Sequence, residues 1–552
     1  MQSPILLKLV EIAETTALQG QKHQVIFAWS SEGREFCGHT WEEYFSQIVS
    51  VSEALHSFGV RPGSKVLVIL PTSFEWDLIE KSCFNLFANL LALDETVSID
   101  SLQDVLSTTK PQFVLASVQA QEKLRAIQLR IPSLNWCYID LAVLFNRRPR
   151  TGPSRPADFP HRHAELLESA SDAPATVVFT SGTSGNVRGV SYSQNQILQV
   201  CEQILAHEGG LGARHRVIAW LPMAPLFQRV VNLGCLLLGS QIYYFYPPKE
   251  IAQALRKVRP TFFVAVPRFY EKLYHEIQSK IERSKFLPKR IQKLLERWAL
   301  QRLFPMGAIL LSGSAALSTD TQKFFERSGL KILEAYGLTE CLLPIAISTP
   351  RANRSGSVGK LLYGNQWMLD AESQLLVKGE FLANGYVDGS ADRWRSDGYF
   401  ETGDLISLDA EGFVFIKGRK AFVLKLSTGK KVMRTQIESR FQFRENVDQF
   451  CIFGNDKPYL IGLLSLQKAG VSEEWLKQLR SYLVEFNSQV PSHEQVWKVL
   501  ILDRPLSLAA DELTVNLKLR YNKIEEKFKV DLNRLYGDPK PEVLTWLERQ
   551  AL

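Results

Sequence analysis

The chain has 552 residues, of which 45% are hydrophobic and 22% are charged, and its formal net charge is +7. This length and composition predict a globular protein of more than one domain, and the small positive charge does not indicate a nucleic-acid-binding protein. The seven cysteines are scattered, without a CxxC pair or a His/Cys cluster, which argues against a zinc site and favours reduced thiols in a cytoplasmic protein. No uncharged apolar run reaches the ~20 residues that a membrane-spanning helix needs, and the charged N-terminal segment does not read as a signal peptide.

The first part of the chain alternates between strand and helix patterns. Thr40 and Glu43 have the spacing of a capping box, and apolar residues then recur at helical spacing as far as Phe58. A strand is predicted at 65–70, and the alternation continues to residue 145, which predicts an α/β domain. The segment 146–173 is rich in Pro, Arg and Ser and is predicted to be a long surface loop.

A strand followed by a hydroxyl-rich loop is the central feature of the sequence. Residues 176–179 are β-branched or aromatic and predict a buried strand. Six small residues follow, namely Thr180, Ser181, Gly182, Thr183, Ser184 and Gly185. Their backbone N–H groups and hydroxyls can converge on a polyphosphate, and Arg188 adds a cation. The alternative is a flexible linker of small polar residues, and the loop is not a Walker loop because GxxxxGK[ST] is absent.

The segment 278–304 is strongly basic and carries apolar residues at helical spacing on one side. Such a helix can lie on an anionic membrane surface. More often, a helix of this kind is a solvated helix that packs on its own domain, and the sequence leaves both alternatives open.

Two later stretches carry side chains suited to a nucleotide. Tyr336 can stack on a purine, and Glu340 can ligate Mg²⁺ through oxygen, although the same pentapeptide can also form an ordinary turn. Further on, Asp404 can accept hydrogen bonds from hydroxyl groups, which a buried aspartate needs, although an Asp in a hairpin turn is the commoner case.

Several strings resemble the adenylate-forming superfamily, which includes acyl-CoA synthetases, luciferases and adenylation domains. TSGTSGNVRGV resembles its signature loop, YGLTE its YGxTE motif, and DGYFETGDL its DGWFxTGDL motif. LPMAPLFQR, TFFVAVPRFYEKLY, LKLSTGKKV and LTVNLKLR are similar to segments of the long-chain fatty acyl-CoA synthetase branch. The motifs occur in family order and cover most of the chain from Thr40 onward.

The resemblance implies a role for each matching residue. The loop 180–185 would fold over the β- and γ-phosphates of ATP, with Arg188 beside it. In the YGLTE stretch, the resemblance implies adenine binding by Tyr336 next to Gly337, phosphate binding by Thr339 and Mg²⁺ ligation by Glu340. It implies ribose binding by Asp404 and ribose or phosphate binding by Arg419. Gly429 would belong to the pantetheine tunnel, and Lys518 would be the catalytic lysine. Lys518 would bridge the carboxylate and the α-phosphate during adenylation.

Four positions depart from the family pattern and mark a divergent member. Arg188 stands where the family usually has Lys, Pro225 where it has His, and Gln228 where it has Glu. Ala421 stands where the family has a hinge Asp or Lys, so we expect the two half-reactions to be affected unequally by this departure.

These resemblances imply a large N-terminal adenylate-forming domain of layered α/β subdomains, residues 1–420, and a smaller mobile α+β domain, residues 421–552. The implied function is that of an acid–thiol ligase, which uses ATP and Mg²⁺ to convert a long-chain fatty acid to acyl-AMP and then transfers the acyl group to CoA. Transfer to an acyl carrier protein remains an alternative acceptor reaction. A catalytically impaired relative that binds acyl chains or nucleotide is a further alternative. The expected partners are the fatty acid and CoA or the carrier protein, with no nucleic acid.

Overall fold

The structure is a computed structural model that describes residues 3–18, 24–30, 34–145, 172–181, 187–207, 215–282, 288–315, 317–342, 344–362, 366–441, 443, 445–507, 510–513 and 519–537. Within these residues the chain forms two compact units. The first unit comprises Met1–Met368, Leu376–Thr402 and Leu408–Phe415, and the second comprises Leu369–Leu375, Gly403–Ser407 and Ile416–Leu552. The chain therefore passes between the units before residue 421, and a boundary at 420/421 stays a prediction.

A nine-stranded sheet forms the larger layer of the first unit. Its strands, in spatial order, are β15 (Lys360–Leu361), β14 (Ala346–Ile347), β13 (Lys331–Tyr336), β12 (Ile309–Gly313), β11 (Phe262–Ala265), β9 (Arg216–Ala219), β10 (Gln241–Tyr244), β1 (Gln24–Ser30) and β2 (Glu35–Thr40). The pairs from β13 through β1 are parallel, and the pairs at the two edges are antiparallel. Parallel strands buried on both faces read as continuous apolar runs, as in β11.

A six-stranded sheet contains the strand that leads into the hydroxyl-rich loop. Its strands, in spatial order, are β6 (Cys137–Tyr138), β5 (Phe113–Ala116), β3 (Lys65–Ile69), β4 (Asn89–Leu93), β7 (Pro174–Ser181) and β8 (Val187–Ser193). All of its pairs are parallel except β7 with β8, which is an antiparallel hairpin. The predicted strands at 65–70 and 176–179 are both confirmed.

Twelve α-helices occur in the described part of the first unit. They are α1 (Pro4–Leu18), α2 (Trp41–Ser57), α3 (Phe74–Asn85), α4 (Ile99–Thr109), α5 (Val118–Arg130), α6 (Leu141–Phe145), α7 (Gln194–Ala206), α8 (Leu226–Leu237), α9 (Ile251–Val258), α10 (Pro267–Glu282), α11 (Lys289–Gln301) and α12 (Thr319–Arg327). The capping box at Thr40 and Glu43 is confirmed, since the Thr40 hydroxyl accepts from the backbone of Glu43 and the Glu43 side chain accepts from that of Thr40. A second capping box, formed by Ser193 and Gln196, starts α7.

A small sheet follows in the chain, with strands β16 (Gln366–Leu369), β17 (Gln374–Lys378), β18 (Phe400–Leu408) and β19 (Val414–Arg419) in that order. The second unit continues with a hairpin of β20 (Val423–Lys425) and β21 (Lys431–Met433). A sheet of β22 (Val447–Phe453), β23 (Leu460–Leu466) and β24 (Val496–Leu502) follows. Its described helices are α13 (Arg434–Arg440), α14 (Glu473–Ser488), α15 (Tyr521–Lys527) and α16 (Lys529–Gly537).

The segment Leu369–Leu375, which precedes the main part of the second unit in the chain, contributes ion pairs to that unit. Glu372 lies between two lysines, 2.8 Å from Lys420 and 2.5 Å from Lys431. These lysines lower the pKa of Glu372 to about 2. The unit is thus assembled from residues that lie on both sides of position 421.

The architecture is the mixed α/β fold that the sequence predicts, with a larger and a smaller unit. Among the described residues, no helix is both long and apolar enough to cross a lipid bilayer.

Candidate functional site

The hairpin of β7 and β8 brings the ends of the hydroxyl-rich loop together. Thr180 pairs with Arg188, and Ser181 pairs with Val187, so both hydroxyl residues belong to β7. The prediction that the loop begins at Thr180 was therefore wrong by two residues, because strand pairing with β8 extends the β-branched run. The predicted loop residues Gly182, Thr183, Ser184 and Gly185 lie outside the described residues.

The stretch Tyr336–Glu340 begins at the last residue of β13 and enters a 3₁₀ turn, Thr339–Cys341. The hydroxyl of Tyr192 in β8 donates to the carbonyl oxygen of Thr339 at 2.5 Å and accepts from the backbone N–H of Leu342 at 3.2 Å. Tyr192 is fully buried, and burial raises its pKa well above the ordinary value, so it stays protonated as a donor. The β7–β8 hairpin and the predicted nucleotide stretch are thus fixed to each other.

Glu340 is buried, with 6% of its surface exposed, and two donors reach the same oxygen of its carboxylate. The hydroxyl of Tyr386 lies 2.9 Å from Oε1, and a guanidinium nitrogen of Arg393 lies 3.3 Å from it. Burial, together with the charge of Glu340, raises the pKa of the Tyr386 hydroxyl, which keeps its proton for this bond. A buried carboxylate needs such partners, because an unpaired buried charge is strongly unfavourable.

Arg188, the predicted phosphate-binding cation, lies close to this cluster. Its NH1 nitrogen is 2.7 and 3.0 Å from the two carboxylate oxygens of Asp392. Its guanidinium lies over the ring of Tyr386, 4.9 Å from the centroid. The hydrogen bond to Asp392 raises the pKa of Arg188, which remains a cation. Tyr386 therefore contacts Arg188 through its ring and Glu340 through its hydroxyl.

The geometry of Glu340 suits a magnesium ion that is bound mainly by substrate. Both side-chain donors reach Oε1, and within the described residues no hydrogen bond reaches Oε2. No group of three or more His, Cys, Asp or Glu residues within that same part of the chain could hold a metal alone. Mg²⁺ usually takes one or two carboxylates together with substrate phosphates and water, so a single carboxylate oxygen is an adequate protein ligand.

An apolar cleft adjoins the same stretch. It encloses about 1000 Å³ of space that opens to solvent, and Tyr336 and Gly337 form part of its wall. Most of the other lining residues are aliphatic, aromatic or small: Cys201, Ile204, Leu205, His207, Phe227, Val230, Val231, Gly234, Cys235, Phe262, Leu311, Gly313, Ser314, Leu333, Ala335, Pro344, Ile347, Ser348, Thr349 and Pro350. Not one of these residues is an Asp, Glu, Lys or Arg. The cleft therefore suits an uncharged apolar group.

Buried polar contacts fix α8, which supplies one wall of the cleft. Arg229 pairs with Glu80 at 2.5 Å and donates to the Thr176 hydroxyl in β7 at 3.0 Å. Gln228 is fully buried; it accepts from the backbone N–H of Leu221 at 3.2 Å and donates to Asn232 at 2.8 Å. The Gln at this departure from the family pattern thus serves as a structural hydrogen-bonding residue.

Pro225, another of the departures, precedes α8 as its N-cap residue and makes no side-chain capping bond. It gives the helix a rigid entry instead of a polar side chain.

The second unit holds the other predicted site residues that the structure describes. Asp404 lies in β18 and is 3% exposed, and its Oδ1 is 2.8 Å from Nε of Arg419 in β19. These two predicted ribose-binding residues are therefore neighbours, and Asp404 is a strand residue and not a turn residue. Gly429 lies in the turn of the β20–β21 hairpin at φ 79°, a conformation that glycine adopts without strain. Lys518 lies outside the described residues.

Sequence reasoning missed Tyr192, Tyr386, Asp392 and Arg393. Each of them acts on a predicted site residue across a long stretch of chain, and none belongs to a recognisable string. Tyr386 is 46 positions from Glu340, and Asp392 is 204 positions from Arg188. A spacing signal exists only within one helix or strand, so no local pattern could have found these residues.

Comparisons with known proteins identify the family to which the chain is similar. Residues 13–387 match the family model described as AMP-binding enzyme, and residues 422–540 match the model described as AMP-binding enzyme C-terminal domain. Long-chain-fatty-acid–CoA ligase FadD15 of Mycobacterium bovis is 25% identical over 90% of this chain and 92% of its own length. Long-chain-fatty-acid–CoA ligase 1 of Schizosaccharomyces pombe is 23% identical over 95% of this chain and 90% of its own length.

Solved structures share the fold. The adenylation domain of a carboxylate reductase from Mycobacterium chelonae has a TM-score of 0.74 at 19% identity, covering 96% of this chain and 91% of that domain. ATP-bound MatB from Rhodopseudomonas palustris has a TM-score of 0.72 at 19% identity, covering 96% of this chain and 99% of MatB.

Proposed function

Because the chain belongs to the AMP-binding enzyme family, we propose that it activates a long-chain fatty acid with ATP and transfers the acyl group to the thiol of coenzyme A. The single observation that carries the choice of acid is the apolar cleft beside Tyr336 and Gly337. No charged residue is among the lining residues that the structure describes, so an acid with a second charged group would leave that charge unpaired. A hydrocarbon tail gains about 0.8 kcal/mol for each methylene that it buries there.

The relatives support the same choice. Two proteins that match this chain over nine-tenths or more of its length carry the name long-chain-fatty-acid–CoA ligase. Their identity to this chain is 23–25%, so the proposal depends on the lining of the cleft as well as on the names.

In the first step, a carboxylate oxygen of the acid attacks the α-phosphorus of ATP. The new P–O bond forms as the bond to pyrophosphate breaks, which gives acyl-AMP. We assign charge stabilisation at the phosphates to Arg188 and to Lys518, and adenine stacking to Tyr336. Glu340 would hold Mg²⁺ together with the phosphates of ATP, and the ion would supply charge neutralisation at the pyrophosphate. The protein positions the reactants and needs no covalent intermediate of its own.

In the second step, the thiol of coenzyme A attacks the acyl carbon. The C–S bond forms, the bond to the AMP oxygen breaks, and the thiol proton is released. We assign ribose binding to Asp404 and Arg419, whose contact orients the Asp404 carboxylate. The turn at Gly429 is assigned to the pantetheine arm.

Pyrophosphate release with saturated acids from octanoate to eicosanoate tests this proposal. We expect release that depends on ATP, magnesium and acid, with the highest kcat/KM for the longer acids, and acyl-CoA formation when coenzyme A is present. A higher rate with an acyl carrier protein would identify that protein as the acceptor. ATP binding without pyrophosphate release would identify a non-catalytic relative, and no ATP binding would overturn the proposal.

Helix α11 is a candidate membrane-docking surface. Leu294, Trp298 and Ile291 are 64, 58 and 42% exposed, and Arg290, Lys293 and Arg297 are exposed on the same helix. Exposed apolar side chains next to cations suit the interface of an anionic bilayer, which is also where a long-chain acid partitions. We therefore propose that α11 docks on anionic lipid.

Flotation with vesicles of phosphatidylcholine, with or without phosphatidylglycerol, tests the docking surface. We expect flotation only with the anionic vesicles, lost in the double variant Lys293→Glu/Arg297→Glu and reduced in Leu294→Gln/Trp298→Gln. A matched charge reversal on α9, Arg256→Glu/Lys257→Glu, should leave flotation unchanged. Equal flotation of all variants, or concentration-dependent self-association in place of flotation, would overturn this proposal.

A further inference from the structure

Two side chains hold Glu340 in one orientation. The Tyr386 hydroxyl and the Arg393 guanidinium both reach Oε1, at 2.9 and 3.3 Å. A carboxylate on a short turn can rotate about its side-chain torsions, and two donors on one oxygen oppose that rotation. The other oxygen, Oε2, is thereby kept in a fixed place.

Arg393 is itself held by several contacts, so it acts as a fixed donor. Its Nε and NH2 nitrogens donate to the carbonyl oxygen of Glu401 at 3.0 and 2.6 Å, and NH2 also donates to the carbonyl oxygen of Thr402 at 2.5 Å. Its guanidinium lies 4.5 Å from the ring centroid of Phe400. A planar guanidinium held in this way offers its remaining NH1 nitrogen in one direction, which is towards Glu340.

Tyr386 extends the same arrangement to Arg188. The backbone of Val387 donates to the carbonyl oxygen of Gly189 at 2.8 Å, which attaches this segment to β8 beside Arg188. The ring of Tyr386 then lies under the guanidinium of Arg188. Tyr386 therefore contacts both Arg188 and Glu340.

We propose that Arg393 and Tyr386 are positioning residues that hold Glu340 so that Oε2 faces the cation–phosphate group of bound ATP, and that Tyr386 also sets the place of Arg188. This role rests on the proposed function, since it assigns the ATP site to this cluster. Arg393 also balances the charge of the buried carboxylate. Neither residue touches the reacting atoms, so their effects are expected in the binding of magnesium and ATP.

Calorimetric titration with α,β-methylene-ATP, which cannot form an adenylate, tests this role without turnover. The variants are Tyr386→Phe, Arg393→Lys and Arg393→Gln, each measured over a range of magnesium concentrations. We expect about a tenfold weaker affinity at limiting magnesium for Tyr386→Phe and for Arg393→Lys, and a larger loss for Arg393→Gln, because each loses a hydrogen bond to a charged group. Excess magnesium should recover part of the affinity of the first two variants.

Matched controls come from the same segment. Tyr399→Phe and Arg395→Lys make the same chemical changes, and neither residue contacts Glu340 in the described structure. Both controls should bind the analogue as the unmodified protein does. Arg393 and Tyr386 variants that unfold at a lower temperature but bind with an unchanged magnesium dependence would show a purely structural role and overturn the proposal.

A double-mutant cycle tests whether Tyr386 and Arg393 act on binding through Glu340 or through other contacts. In a Glu340→Gln background the charged oxygen is gone, so Tyr386→Phe and Arg393→Lys should have little further effect on binding. Additive losses would contradict the proposal. If the unmodified protein fails to bind the analogue at any magnesium concentration, the proposed function fails with it; if it binds and these variants equal it, only this inference fails.

Discussion

Two regions of the first unit share the stretch Tyr336–Glu340 and are built in opposite ways. The Glu340 cluster is polar, and each of its members has an assigned partner: Tyr386 and Arg393 on Glu340, and Asp392 on Arg188. The apolar cleft is defined by the space that its wall leaves open, and the described part of that wall contains no charged residue. A hydrogen-bonded or ionic pair in the cluster is lost completely when one partner is changed, whereas the volume of the cleft can be reduced in steps by larger side chains.

This difference predicts how each region responds to substitution. Loss of the buried Glu340 carboxylate should cause a large loss of activity, because a partly buried cation that loses its partner is strongly unfavourable. Changes in the cleft should give graded shifts in the preferred substrate, because the hydrophobic effect is roughly proportional to buried area.

The largest expected effect is that of Glu340→Gln. This change removes the charge and leaves Arg393 beside a neutral amide, so we expect acid-dependent pyrophosphate release to fall by about 10³-fold. Steady-state release with a long-chain acid measures it. The exposed Glu380→Gln is the matched control and should retain full activity. A loss of less than tenfold for Glu340→Gln would contradict the comparison, since activity would then respond to changes in the cluster as gradually as to changes in the cleft.

A second buried carboxylate, Glu334, sharpens the comparison because no cation in the described part of the chain pairs with it. Glu334 lies in β13 between two residues that line the cleft, its described side-chain donor is the amide of Gln322, and burial raises its pKa from 4.5 to about 7. Its proton is bound more tightly in the folded state, so its contribution to stability is full below about pH 4.5 and is lost as the pH rises through about 7.

We therefore expect Glu334→Gln to raise the free energy of unfolding at about pH 8 by on the order of 2 kcal/mol, and to change it little at about pH 4.5. Urea denaturation at the two pH values measures this difference. The exposed Glu326→Gln in α12 is the control. An equal effect at both pH values would contradict the assignment.

A graded effect is expected from the glycine in the wall of the cleft. Gly234 lies inside α8, and a Cβ added there would meet no atom within 4 Å. Gly234→Leu should lower kcat/KM for eicosanoate by about tenfold or more and leave octanoate nearly unchanged, because the side chain takes the place of several methylenes worth about 0.8 kcal/mol each. Gly234→Ala should shift the preference less.

A second glycine provides the contrast. A Cβ added to Gly313, also in the cleft wall, would lie 2.9 Å from the ring of Phe227. Gly313→Ala should therefore displace that ring and affect short and long acids alike. Parallel losses for all acids in Gly234→Leu would contradict its role in chain length.

The smallest expected effect is that of Asp392→Asn. The Asp392 side chain is 55% exposed, and exposed ion pairs contribute about 0–1 kcal/mol. We expect the affinity for magnesium-ATP to change less than about threefold, and the change to shrink with added salt. Calorimetry at low and high salt measures it. A larger change in affinity would show that Asp392 acts as a positioning residue, as we propose for Tyr386 and Arg393.

The local parts of this structure could be predicted from the sequence. The capping boxes at Thr40 and Ser193 depend on residues three positions apart, and the buried strands are visible as apolar runs. The stretch Tyr336–Glu340 could also be selected as a site, because its strand and its side chains are adjacent in the chain. Resemblance to a known family added the expected roles of these residues.

The remaining parts depend on contacts between distant segments. The donors to Glu340 and the acceptor of Arg188 come from residues 386–393, and the cleft is assembled from separate strands and helices. The predicted start of the hydroxyl-rich loop was also wrong, because pairing of Thr180 with Arg188 extends β7. Cross-chain pairing of this kind leaves no periodic signal in the sequence.

The chain passes between its two units more than once, which limits how the units can be separated by truncation. The second unit takes Leu369–Leu375 and Gly403–Ser407 before its main segment begins at Ile416. A truncated protein starting at residue 421 would lack Glu372, the partner of Lys431, and it would lack both members of the Asp404–Arg419 pair. Limited proteolysis at that position should accordingly leave two fragments that stay associated, and the smaller unit should be obtainable on its own only by splicing the early segments to it.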